Sequence, residues 1–271
     1  LPCEISHDVS IERKASYQFK AGVAKRFQND GVFLVGDSAH LTPPFAGQGL
    51  VSGIKDIFNL SWKIEHVIKG KMDKVHLKTY TKERLPQAKK VIRLAMMAGL
   101  ITSPKTNFMS FINQGLFYFV SRIPLLKGFI RGFHFRPGNK IKKGFLMKVP
   151  RLKASFIGKE FPSVWLKDIA GHKKIRSDDL LRGQFCLFCA NVDPLEVFSE
   201  DILQRWFQWG GKVVGLYEYG KSHKIKEAHK FYKLGKISNW FYEEGKLKPI
   251  FDKGFNCLIV RPDFIIFNEG P

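Results

Sequence analysis

One run constrains this chain more than any other: Val32-Phe33-Leu34-Val35-Gly36-Asp37-Ser38-Ala39-His40-Leu41-Thr42-Pro43-Pro44-Phe45-Ala46-Gly47-Gln48-Gly49-Leu50. Four apolar residues in a row, Val32 to Val35, predict a short buried strand. Gly36-Asp37 ends it. Residues 41–49 are rich in Pro and Gly and predict a stiff loop. From Leu50 to about Ile68 the pattern turns helical, with Val51, Ile54, Ile57, Phe58, Ile64, Val67 and Ile68 on one broad stripe and Gly70 as a C-terminal cap. Open α/β sheets bind ligands beyond the carboxyl ends of their strands. A Gly before the Asp lets a ligand approach the backbone. The Asp can accept hydrogen bonds from sugar-like hydroxyls, and the free N–H groups of a helix start can face an electron-rich ring.

That run resembles the second FAD-binding motif of the flavin-dependent aromatic hydroxylases, the para-hydroxybenzoate hydroxylase superfamily. It is nearest the branch of 3-(3-hydroxyphenyl)propionate and phenol hydroxylase-like enzymes. The resemblance continues in order through Gly53, Asp56, Asn59-Leu60, Trp62-Lys63 and Tyr80-Thr81-Lys82-Glu83-Arg84-Leu85-Pro86, and it is strong over residues 17–86. It implies that Asp37, after Gly36, binds the ribityl chain of FAD. It implies that the Pro43-Pro44 loop lies at the reactive edge of the flavin, where the Pro44 carbonyl positions the ring. Backbone N–H groups of Gly49, Leu50 and Val51, reached through Gly47 and Gln48, would contact the flavin pyrimidine. Val51 departs from the family's usual Asn, Met or Cys, which a backbone contact tolerates; Ser38 replaces a common Ala. The implied reaction is hydroxylation of a phenolic substrate with O₂, through a C4a-hydroperoxide of FAD reduced by NADH or NADPH.

The remaining residues are read more blandly. His40 is expected to pack and bond to backbone near the flavin. Asp56, Glu83 and Arg84 are expected to fix helices by salt bridges or caps, and Trp62 to be core. Glu12 to Lys20 reads as a strand. A second helix is expected from about Lys74 to Arg84, broken or kinked at Pro86. Val91 to Ile101 and Phe108 to Ile130 read as apolar helices, the latter broken near Pro124. Phe108 to Val120 is too short and too polar at Asn113-Gln114 to span a membrane, and is read as a buried helix. Met96, Met97, Phe108 and Phe111 suit either a substrate pocket or a core.

Lys140 to Phe161 reads as an extended connector. It suggests two units: residues 1–150, the C-terminal portion of a FAD/substrate domain, and residues 151–271, an α/β domain that resembles the thioredoxin-like one attached to this branch. Strands are expected at Gln184–Ala190, Lys212–Tyr219, Cys257–Val260 and Phe264–Phe267, and a helix at Ser199–Trp209. Arg261-Pro262-Asp263 resembles that domain's closing strand. The fold class is therefore mixed α/β. No G-x-G-x-x-G turn between strand and helix is found, and the chain starts at Leu1. The expectation is the C-terminal half of a hydroxylase roughly twice as long, with the N-terminal half as its partner.

Charge adds a second theme. Lys plus Arg is 45 against 24 Asp plus Glu, a net +21, yet no acid lies between Glu83 and Glu160. A basic interval attracts anions without naming one. No nucleic-acid motif accompanies it. The four cysteines are too few for a disulfide scaffold and suit a reducing, cytoplasmic setting. Cys186 and Cys189 fall in one apolar strand, where a two-residue period turns them to opposite faces and away from redox pairing. No zinc-ligand spacing, secretory leader or spanning segment is visible. A homodimer is compatible with this reading. Two other readings stay open: a hydroxylase of polyketide or antibiotic rings with the same motif, and a non-catalytic basic interaction module that keeps the scaffold.

Overall fold

The computed structural model of the chain describes residues 12–104, 106–123, 138–147, 155–168, 173–218, 230–242, 247–252 and 254–270. Long helices occupy the first part and a seven-stranded sheet the second.

Four two-residue strands open the chain: β1 (Gly22–Val23), β2 (Gln28–Asn29), β3 (Val32–Phe33) and β4 (His40–Leu41). β1 pairs with β4, and β2 with β3, both antiparallel. Asp30 and Gly31 take φ of +40° and +87°, the left-handed pair that a two-residue hairpin turn needs. The expected buried strand at Val32–Val35 is thus only a hairpin arm. Its one pairing partner among the described residues is β2, and Val32 is 66% exposed. The expected strand at Glu12–Lys20 is absent: residues 12–20 have no regular structure, and Tyr17 and Phe19 lie exposed with no strand paired beside them among the described residues.

Three helices follow: α1 (Gly49–Ile68), α2 (Thr79–Thr102) and α3 (Asn107–Arg122). Gly70, at φ +67°, closes α1 as expected. The orientation of α1 is a correction. Of its apolar stripe, Val51, Ile54, Ile57, Phe58 and Ile68 face outward and Ile64 and Val67 are half-buried, while Ser52, Asp56, Asn59, Lys63 and His66 are buried beside Leu60 and Trp62. Hydrophobic burial alone would turn the helix the other way; the buried polar groups are instead paired with one another and with α2. α2 is a second correction, because it runs through Pro86 without a break. A proline inside a helix costs about 3 kcal/mol, but buried side chains anchor α2 on both sides: Tyr80, Glu83 and Arg84 before it, Ala88, Ile92 and Ala95 after. α3 is the third. The stretch read as buried is exposed at Phe108, Phe111, Leu116 and Phe119, and α3 leans on α2 through Asn113 Nδ2, which donates to the carbonyls of Leu100 and Ile101. Met96 and Met97 are exposed too, so core packing does not account for them. Residues 124–130 and 148–154, parts of the expected helix and connector, lie outside the described residues.

Strands β5 (Trp165–Asp168), β6 (Lys174–Arg176), β7 (Cys186–Ala190), β8 (Lys212–Glu218), β9 (Ile237–Tyr242), β10 (Cys257–Val260) and β11 (Ile266–Gly270) form one sheet in the order β11-β10-β7-β8-β9-β5-β6. β7, β8 and β9 are parallel; β10 and β11 continue antiparallel. This strand–helix–strand unit with an antiparallel hairpin at its edge is the arrangement expected of a thioredoxin-like domain. The helix Glu200–Trp209 lies between β7 and β8 and packs Leu203 on one face. The closing strand is shifted from the expected Phe264–Phe267, because Phe264 takes φ +65° and turns the chain first. β5, β6 and β9 were not anticipated. β7 alternates as its sequence implies: Cys186 and Phe188 enter one core cluster, Leu187 and Cys189 the other.

An aromatic seam joins the two parts. Trp62 on α1 meets Phe145 and Phe185 edge-on at 5.7 and 5.2 Å, and His66 lies 5.3 Å from Trp209. Trp62 is core, as expected.

Candidate functional site

Gly36–Ser38 form a tight helical turn held by Ser38, whose hydroxyl accepts from the Val35 N–H at 3.0 Å and donates to the Val35 carbonyl at 2.8 Å. Gly36 has φ +60°, a conformation that favours glycine. α1 crosses this turn at Gly53, so closely that a Cβ there would lie 3.2 Å from Gly36 Cα. Asp37 is exposed, and its carboxylate has no partner among the described residues. It is free to accept hydrogen bonds from hydroxyl groups.

The next turn, Pro44–Ala46, is closed by Gly47, whose N–H donates to the Pro44 carbonyl at 2.9 Å and whose φ is +59°. Pro43 is buried and Pro44 exposed. Phe45 packs against Gly99 of α2; a Cβ at that glycine would stand 2.6 Å from the ring. Gln48 then begins α1. Its side chain caps nothing, and the first bond of the helix runs from the Ser52 N–H to the Gln48 carbonyl at 2.9 Å. The N–H groups of Gly49, Leu50 and Val51 precede that bond and carry the positive end of a 20-residue helix. The expected site residues therefore fall on two turns and one helix end, all resting on α1 and α2.

Beneath them lies a buried ion cluster. Asp56 Oδ2 accepts from the Gly36 N–H at 3.1 Å and bonds to His40 Nε2 at 2.8 Å; its Oδ1 accepts from Arg84 Nε at 2.6 Å. Arg84 also donates to the Ser52 carbonyl at 3.2 Å. The salt-bridging role expected of Asp56 and Arg84 holds. His40 differs from expectation, since it meets a carboxylate rather than backbone. Burial by itself would raise the Asp56 carboxyl, but the His40 hydrogen bond and the Arg84 guanidinium outweigh it and hold it below the usual range.

One turn further along α1 lies a second cluster. Glu83 accepts from Asn59 Nδ2 at 2.7 Å, Lys63 Nζ at 3.0 Å and Arg261 at 2.8 Å, and from the Phe145 N–H at 2.6 Å. Arg261 also pairs with Asp263, which accepts from Asn59 Nδ2 at 2.9 Å. Burial would raise the Glu83 carboxyl; Arg261 and Lys63 pull it down to about 2. Burial lowers Lys63 to about 8, partly offset by Glu83. The structural role expected of Glu83 holds, but its partner Arg261, 178 residues away, was not anticipated.

Among the described residues Cys186 and Cys189 are not poised to react, while the hydrogen bond with Cys189 lowers the Cys257 thiol. Burial raises the Cys186 thiol far above its ordinary value. Cys189 faces Cys257 across β7 and β10 at 3.6 Å, a neighbour that spacing alone did not reveal. Among the described residues no cluster could hold a metal ion, and no helix is long and apolar enough to cross a membrane.

Two family models match the chain. Residues 3–95 match the model of an FAD binding domain, and residues 158–270 that of the HcaD C-terminal domain. The 3-(3-hydroxyphenyl)propionate/3-hydroxycinnamic acid hydroxylase of Escherichia coli strain K12 is 28% identical over 263 residues, 94% of this chain and 45% of that protein. The chain thus spans about half the length of the curated relatives it matches. Among solved structures, CabE, an aromatic hydroxylase from angucycline biosynthesis, superposes with a TM-score of 0.64 at 20% identity, covering 94% of this chain and 44% of that one. The anhydrotetracycline hydroxylase OxyS of Streptomyces rimosus gives 0.61 at 20% identity, covering 92% and 43%. With an FAD-binding segment in front and an HcaD-type domain behind, the chain is similar to the flavin-dependent aromatic hydroxylases over both of its parts.

Proposed function

We propose that the complete polypeptide containing this chain is a FAD-dependent monooxygenase that hydroxylates a small phenolic acid with O₂, using NADH or NADPH as reductant, and that this chain supplies the flavin-ring side of the site. The observation that carries the reading is the pairing of a free, exposed Asp37 carboxylate with the uncapped start of α1 on one continuous segment. These residues fit a flavin nucleotide. Asp37 accepts from the ribityl hydroxyls. Gly47 leaves open space where a side chain would stand. The N–H groups of Gly49, Leu50 and Val51 donate to the pyrimidine edge, where the helix dipole favours electron density. The Pro43-Pro44 loop, braced by Phe45 against Gly99, keeps the reacting edge of the ring in place and excludes water. FAD, when bound, supplies the oxygen-activating chemistry that no side chain here provides.

A carboxylate-bearing phenol is the substrate class favoured by the relatives' printed activity and by the acid-free basic interval. The exposed Met96, Met97, Phe108 and Phe111 are candidates for its apolar border. On this reading the unit boundary falls near residue 150 and the cell compartment is the cytoplasm, which the free, buried Cys186, Cys189 and Cys257 support.

The test is the visible spectrum of the complete polypeptide. Bound oxidised flavin is expected, with NAD(P)H consumed faster when 3-(3-hydroxyphenyl)propionate is added and a hydroxylated product formed. Asp37→Ala is expected to lose the flavin. A colourless wild-type protein that takes up no FAD would overturn the reading. Hydroxylation of a polycyclic polyketide in place of the phenolic acid would redirect it.

A further inference from the structure

We infer that Asp56 is a positioning residue for the flavin-binding turn, setting where Asp37 stands without touching the cofactor; this rests on the flavin reading above. The turn runs from Gly36 to His40, and both its ends converge on a single oxygen atom, Asp56 Oδ2, at 3.1 and 2.8 Å. Asp37, between those two anchors, is the residue left pointing to solvent. The other oxygen, Oδ1, is held at 2.6 Å by Arg84, which comes from a different helix and is itself buried. One carboxylate thereby ties the turn to α1 and α2 at once, with both groups of the ion pair shielded from water.

The chemistry needs a carboxylate. Three donors arrive: a backbone N–H, an imidazole N–H and a guanidinium. Two carboxylate oxygens can accept all three. An amide of the same shape cannot, because whichever way it turns, its NH₂ meets one of the donors. His40 meets Asp56 through Nε2, and its Nδ1 has no partner among the described residues. The only other hydrogen-bond contact to the ring among the described residues is a long one, Ser52 Oγ to His40 Nε2 at 3.5 Å, so the anchoring falls mainly on Asp56 at 2.8 Å. The close crossing at Gly53 leaves the turn little room to find another position.

The test is a double-mutant cycle in the complete polypeptide, read as the FAD dissociation constant from flavin fluorescence, with the melting temperature of the apo form measured alongside. Asp37→Ala is expected to weaken FAD on the order of a hundredfold, as for two hydrogen bonds to a charged group. Asp56→Asn is expected to weaken it roughly tenfold, as for one such bond. In the double variant the Asp56 effect should largely vanish, since a displaced turn no longer matters once it carries no carboxylate. Removing the charges together, in D56N/R84Q, avoids burying Arg84 unpaired and should keep the apo protein folded. It should still weaken FAD about as much as D56N. Multiplying effects, or full FAD affinity in a folded D56N/R84Q protein, would overturn the positioning role while leaving the flavin reading intact. If Asp37→Ala changes nothing, the flavin reading itself fails.

Discussion

Two ion clusters sit one helical turn apart on the same helix pair, and they do different work. The Asp56 cluster is local: its members span residues 36 to 84, and it fastens a turn to α1 and α2. The Glu83 cluster is remote: Arg261 and Asp263 reach it from the turn between β10 and β11, 178 to 204 residues away in sequence. Each pairs its permanent charges, Arg84 against Asp56 in the first, Lys63 and Arg261 against Glu83 and Asp263 in the second. Balance lets the charges stay buried, because a buried ion is tolerated only with a partner and satisfied hydrogen bonds. The difference lies in what each cluster connects. The first can shape a binding turn; the second is the polar centre of a joint between two parts of the chain, ringed by the aromatic seam.

Breaking the joint should have the largest effect. Arg261→Met leaves Glu83 and Asp263 facing Lys63 alone in a buried setting. The expected loss is about 3–5 kcal/mol, the usual consequence of removing one partner from a buried pair. Denaturant unfolding of the chain measures it. A loss under about 1 kcal/mol would mean that the aromatic seam, rather than the ion cluster, holds the parts together.

Acid is the next lever, and it weighs the same cluster without mutation. The Glu83 carboxyl stands at about 2 in the folded chain against an ordinary 4.5. A depressed carboxyl contributes stability that is fully present above about pH 4.5 and is lost as the pH falls toward about 2. The gap corresponds to roughly 3 kcal/mol. Unfolding measured at pH 6 and at pH 3 should therefore differ, and Glu83→Gln should flatten much of that slope. Asp56 titrates in the same direction, so some slope should remain in the variant. A wild-type slope that Glu83→Gln leaves unchanged would assign the acid sensitivity to other carboxylates.

The comparison also explains what could be read in advance. The Asp56 cluster sits inside a continuous motif, so its residues could be named and its structural role expected from order alone. His40's carboxylate partner was missed because residue order says nothing about which acceptor lies nearest. The Glu83 cluster was legible on one side only; no local pattern announces that Arg261-Pro262-Asp263 will fold back onto α1. The same blindness affected α1. Its apolar stripe was read correctly as a stripe, yet periodicity does not say which side faces inward when the opposite side carries paired ions. α2 shows the converse case, where local propensity at Pro86 yields to anchoring on both flanks. In the sheet domain, β7 was clear because both its faces are buried, whereas β9 mixes Ser238 and Asn239 into its run and gave no clean period.

The smallest effect should come from that outward stripe, and it is the most discriminating. Ile57 is 56% exposed, so Ile57→Ser removes little buried surface from this chain. A stability change within about 0.5 kcal/mol is expected, as for an exposed helix position. Yet a helix that buries Asp56, Asn59 and Lys63 while exposing Ile54, Ile57 and Ile68 is wrongly dressed for water. If the remainder of the proposed hydroxylase packs on α1, the same substitution in the complete polypeptide becomes an apolar-to-polar change in a core. It should then cost about 2 kcal/mol or more. The ratio of the two measurements separates the faces of α1: the inner one held by ion pairs within this chain, the outer one by burial against the rest. Equal small effects in both settings would leave the outer stripe without a covering surface and count against the two-half reading.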